Sequence, residues 1–171
     1  MLTVAGLALA ASMVVGQNSD VNVPPEAQSE FEYLVGDWTT SGESVDGAVT
    51  GEFSAKWSPG KHVLVIHSTW TDSKHTAKGT GIDGWDVGDR TITTLEFWSD
   101  GWSHFRKYTI KAPGVWRADE CRGVTSEGKP VSGTAVVERT SQNEFIWRSE
   151  NMKIAGEAVK DTKVVFTRKT K

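Results

Sequence analysis

The sequence predicts an all-β domain: an antiparallel up-and-down barrel of about nine or ten strands behind one short N-terminal helix. Three observations predict it. From Trp38 onward, apolar and polar residues alternate in short runs separated by turn residues, and no convincing helical period interrupts them. The chain holds 8 Trp and 17 Gly in 171 residues, which suits strands that need large rigid side chains and a fold with many turns. The runs recur every 8–14 residues or so, and a sequential antiparallel set loses its exposed edges if it closes on itself.

The elements follow in order. Residues 1–16, Met1 to Gly16, carry no charge and are almost wholly apolar, yet are too few to span a bilayer comfortably. They read as an export signal with cleavage after Gly16. The Lys or Arg expected at its start is missing, so a buried N-terminal segment is the alternative. No cysteine follows, which excludes a lipoprotein signal. The mature chain is then secreted or periplasmic, with no membrane span. Residues 17–23 form a polar, flexible leader, and residues 24–171 form the barrel domain. Pro24 to Leu34 predicts the helix: Pro at its start, acids in its early turns, Phe31 and Leu34 on one face, and Gly36 ending it.

Strand pattern begins at Trp38. Gly51–Trp57 alternates cleanly, with Phe53, Ala55 and Trp57 on one face. His62–Trp70 is the most apolar run, and Lys78–Trp85 carries three glycines that imply a bend or bulge. Thr91–Trp98, Trp102–Lys111, Val115–Arg122, Val131–Thr140, Glu144–Glu150 and Thr162–Lys169 complete the set. Turns are marked by Ser58-Pro59-Gly60-Lys61, Asp86-Val87-Gly88-Asp89, Ser99-Asp100-Gly101 and Ala112-Pro113-Gly114, among others.

A net charge of −3 leaves no footprint for nucleic acid. Cys121 is the only cysteine, so no disulfide can form within the chain, and nothing around it resembles a nucleophile motif; it reads as a half-buried strand residue. His62 and His67 fall on opposite faces of one strand, His75 sits beside a turn, and no zinc-type spacing appears, so neither a metal nor a cofactor is expected. Asp83, Asp86, Asp89 and Asp100 read as turn residues.

One strand is unusual. Trp102, His104, Arg106, Tyr108 and Ile110 share a face, while the opposite face is mostly of solvent type. The first face is expected to point inward. A buried Arg106 needs a partner, which could be a ligand carboxylate, Glu96 or Asp119. Phe53, Trp57, Trp147 and Phe166 are expected to supply apolar walls, with Gly133 and Ala135 leaving space opposite them. The aromatics could equally fill the interior and leave no cavity.

Phe31-Glu32-Tyr33-Leu34-Val35-Gly36-Asp37-Trp38 resembles the opening of the lipocalin/calycin superfamily. Gly81-Ile82-Asp83-Gly84-Trp85-Asp86 and Phe97-Trp98-Ser99-Asp100-Gly101 resemble a group of bacterial lipocalin-like domains, some of which follow a SnoaL-like domain. The resemblance covers residues 30 to 169. It implies a barrel and an extracytoplasmic location but no established activity. It also implies a structural role for Trp38, packed across the closed barrel end under an arginine, for which Arg168 is positioned. Arg106-Lys107-Tyr108 has the Arg-x-Tyr spacing with which fatty-acid-binding proteins hold a carboxylate, though on a middle strand rather than the last.

The sequence thus predicts a barrel that binds a small apolar or amphipathic ligand. Phe53, Trp57, Trp102 and Trp147 would form the walls, and His104, Arg106 and Tyr108 would orient a polar end. The alternatives are an enzyme of isomerase or cyclase type using His104 as acid/base, paired with Glu96, and a filled barrel acting only through its surface. Oligomeric state is not legible.

Overall fold

A computed structural model describes residues 23–170. The expected export signal and leader residues 17–22 lie outside them. Helix α1 spans Pro25–Leu34, with Pro25 at its first turn, where a missing N–H is harmless, and Glu26 near the positive end of its dipole. Its buried face, Ala27, Glu30, Phe31 and Leu34, recurs at three- and four-residue steps. The helix stops at Val35, whose N–H still reaches the Phe31 carbonyl at 3.2 Å. Gly36 is therefore not the helix cap but the first residue of β1, at φ +129°.

The strands are β1 Gly36–Ser44, β2 Gly47–Trp57, β3 Val63–Thr71, β4 Thr76–Asp86, β5 Thr91–Trp98 and β6 Ser103–Ala112, then β7 Val115–Val124, β8 Pro130–Ser141, β9 Glu144–Ile154, β10 Glu157–Ala158 and β11 Lys163–Arg168. From β1 to β9 each pairs antiparallel with the next. β9 also pairs with β11, and β11 returns to β1, which closes a ring of ten strands. The two-residue β10 hangs on β9 outside that ring. Among the described residues no helix is long and apolar enough to cross a membrane.

Three strands run further than expected. β1 and β2 run on to a two-residue turn at Val45-Asp46, through a stretch with no apolar alternation. Their inward positions there are small or polar, Thr40 and Ser44 among them, because they line a cavity rather than a packed core. β9 likewise continues past Glu150 to Ile154.

One end of the barrel is plugged. Phe31, Leu34, Trp38, Leu64, Ile92 and Phe145 are buried together there, and Phe145 stacks on Phe166 at 4.2 Å between centroids. Burying each large apolar side chain contributes about 1.5–3 kcal/mol. The helix is tied across this end by polar bonds. Buried Glu30 accepts from the Gly114 N–H at 2.8 Å, and the Tyr33 hydroxyl meets the Glu144 carbonyl at 2.8 Å in the β8–β9 hairpin.

Candidate functional site

The plug is organised around Trp38 and Arg168, which face each other in register between β1 and β11. The Arg168 guanidinium lies 4.0 Å above the Trp38 ring centre. Its two terminal nitrogens donate to the Val35 and Tyr33 carbonyls at 2.8 and 2.6 Å, and the Trp38 indole N–H donates to the Leu34 carbonyl at 2.9 Å. One cation therefore takes up carbonyls left open at the helix end while it covers an aromatic face. Gly36 makes room for it: a Cβ there would come within 2.8 Å of an Arg168 nitrogen.

Beyond the plug the barrel holds a cavity of about 270 Å³, reached from the end where the β1–β2, β3–β4 and β5–β6 turns lie. Its volume is near the lower bound of small-molecule pockets. Trp102, His104, Arg106 and Tyr108 all line it. Alternation along β6 turns them inward, with Phe105 and Lys107 between them on the outer face. Phe53 and Trp147 also line it. Trp57 does not: it sits at the plugged end, edge-on to Phe31 at 5.6 Å, with its indole N–H on Glu32 at 3.1 Å. Strand β2 is long enough that Phe53 reaches the lumen while Trp57, four residues on, lies under the helix. The gap expected at Gly133 is also absent, since the Met152 sulfur occupies the place a Cβ would take.

Arg106 is the centre of the polar wall. Its guanidinium pairs with Glu96 of the neighbouring strand at 2.6 Å and lies 5.2 Å from the Trp147 ring centre across the barrel. Asp119 is not its partner; that carboxylate is exposed and takes Arg117 at 2.8 Å. The cause is a bulge on β7 between Ala118 and Cys121, which leaves Asp119 and Glu120 both outside and brings Cys121 inward against Arg106. Cys121 is thus a buried lumenal thiol, and burial pushes its pKa up. Tyr108 accepts the Trp147 indole N–H at 3.0 Å, and burial raises its phenol well above the usual range.

Asp83 overturns its reading as a turn residue. It lies within β4, buried, and accepts the Thr94 hydroxyl at 2.5 Å. Desolvation raises its pKa to about 7, with Thr94 and Arg106 opposing and Glu96 reinforcing the shift. The signal for it was the inward series Ala77, Gly79, Gly81, Asp83, three small residues before one acid. Those glycines let the neighbours lie flat: a Cβ at Gly79 would meet the Trp98 ring at 2.9 Å, and one at Gly81 would meet the Glu96 side chain at 2.7 Å.

His104 opposes Glu96 in register, but that carboxylate is committed to Arg106. Burial, and then the Arg106 charge, depress the His104 pKa to about 3, so the ring is neutral. Trp102 stacks on it at 5.6 Å. At the mouth, exposed His75 bridges Asp72 at 3.3 Å and Asp100 at 3.2 Å, and the Asp100 bond foremost raises its pKa.

No family model matches the chain, and no curated protein matches it. Among solved structures it is similar in fold to an S-type phycobiliprotein lyase from Guillardia theta. The two are 12% identical, with a TM-score of 0.55 over 84% of this chain and 93% of that one. It is also similar to a redesigned β-barrel bound to DFHBI, at 16% identity and a TM-score of 0.43 over 80% of this chain and 99% of that one. At such identities the likeness is one of β-barrel fold alone.

Proposed function

We propose that this chain is a lipocalin-like carrier that holds a small apolar or amphipathic ligand in its lumen. The observation that supports this reading is the cavity of about 270 Å³, whose mostly apolar wall carries a polar cluster on β6 and its neighbours. Phe53, Trp102 and Trp147 would bury the ligand body. His104, Tyr108 and the rim of the Arg106–Glu96 pair would orient its polar end. The Gly36, Trp38 and Arg168 arrangement supports placing the chain among the bacterial lipocalin-like domains. The apolar stretch at residues 1–16 supports export, with the barrel working outside the cytoplasm.

Native mass spectrometry on the purified mature chain tests the carrier reading, together with a Trp fluorescence titration using long-chain alcohols, retinoids and haem. A co-purifying mass or a saturable shift is the expected result. Eight Trp with no response to any of these, and no bound mass, would overturn it.

A further inference from the structure

We infer that the lumen selects an uncharged amphiphile with a hydroxyl or carbonyl head and turns carboxylates away, an inference that rests on the lumenal binding proposed above. The Arg-x-Tyr spacing on β6 invites the opposite reading, a carboxylate held by Arg106. The geometry removes it. Arg106 already has a carboxylate, Glu96, at 2.6 Å, and both side chains are almost wholly out of solvent. Its flat face is turned toward the Trp147 indole. An incoming anion would find the guanidinium's charge compensated and would have to approach Glu96 inside a poorly solvated barrel, where like charges are weakly screened.

The other cationic or protonatable residues along the cavity and its mouth are exposed and equally committed: Arg122 pairs with Glu120 at 3.0 Å, Lys160 with Glu43 at 3.2 Å, and His75 with Asp72 and Asp100 at 3.3 and 3.2 Å. The same wall and mouth carry the acids Asp46, Asp72, Asp83, Glu96 and Asp100. Every cation that an entering anion meets is already paired with a carboxylate.

What remains available is neutral. The Tyr108 oxygen accepts from Trp147, and its own O–H is left to donate. The His104 imidazole is uncharged and offers one donor and one acceptor. The Asp83 carboxyl on β4, raised to about 7 by burial, adds a proton donor below that pH and a further negative charge above it. Such groups match an alcohol or a carbonyl in an apolar body. They do not compensate a full charge.

The test is a matched pair, decanoic acid and decan-1-ol, titrated at pH 7.5 into the mature chain with Trp fluorescence as the readout. The alcohol is expected to bind at least about tenfold more tightly than the acid. In Glu96→Gln, whose folding is checked by circular dichroism, Arg106 loses its counter-charge and the acid is expected to gain at least about tenfold, approaching or passing the alcohol. Acid binding as tightly as alcohol in the unaltered chain would overturn the inference while leaving the carrier reading intact. That comparison stands even where the variant does not fold. Failure of both compounds to bind would overturn this inference, and the carrier reading falls with it where retinoids and haem also give no response and no bound mass co-purifies.

Discussion

Asp83→Asn should change the pH dependence of stability in a defined direction and window. In the folded chain the Asp83 carboxyl titrates near 7 rather than 3.8, chiefly because burial penalises its charged form. A raised acid pKa means that the folded state holds the proton more tightly than the unfolded one. The stability this contributes is fully present below 3.8 and is lost as pH rises through 7. The interval of about three pH units corresponds to roughly 4 kcal/mol at 1.36 kcal/mol per unit. Asparagine cannot ionise but can still accept the Thr94 hydroxyl. The stability of Asp83→Asn relative to the parent should therefore climb by about that amount between pH 4 and 7 and then level off. Urea unfolding followed by Trp fluorescence at unit pH steps measures it, and taking the difference between the two chains cancels every other titration. His104→Gln supplies the mirror image: the His104 pKa is depressed to about 3, so the parent gains stability as pH rises toward 6.5 and the variant does not. A difference between Asp83→Asn and parent that stays flat with pH would refute the reasoning, because it would mean that Asp83 ionises in the folded chain near its ordinary value.

Four further outcomes are expected. Arg168→Lys keeps the charge over Trp38 but loses the fork that grips the Val35 and Tyr33 carbonyls, and thermal unfolding should show a loss of about 1–3 kcal/mol. Gly36→Ala should destabilise by more than about 1 kcal/mol in the same assay, because φ +129° and the 2.8 Å approach to Arg168 both oppose a Cβ. Ser68→Phe, on the cavity wall of β3, should abolish alcohol binding in the fluorescence titration while the circular dichroism spectrum stays that of the parent. Cys121 should react with a maleimide far more slowly in the native chain than in urea, and mass spectrometry should show bound alcohol slowing it further, since the thiol is buried and lines the same cavity.

Much of this molecule is legible in the linear chain. Turn residues and period-two alternation announce a sequential antiparallel β fold, because the strand repeat places every second side chain on one face whatever the partner. The inward set on β6 follows from the same rule, as do the helix and its buried face. The signal fails where the interior is hollow. Along the outer half of β1, Thr40 and Ser44 face a cavity, so no apolar stripe marks that stretch, and hydrophobic alternation reports packing rather than pairing. It fails again at the β7 bulge, where one extra residue reverses the alternation and turns Cys121 inward and Asp119 out. Which carboxylate serves Arg106, whether Asp83 lies in a turn or a wall, and whether Trp57 meets the lumen or the helix all depend on register between strands. The β5–β6 hairpin sets Glu96 beside Arg106, and closure of the ring then brings Trp147 across the barrel to them. The residues on their own determine a barrel with aromatic and polar groups turned inward. The tertiary structure decides that the buried Arg106 guanidinium already has its carboxylate in Glu96, because only folded strands bring the two together.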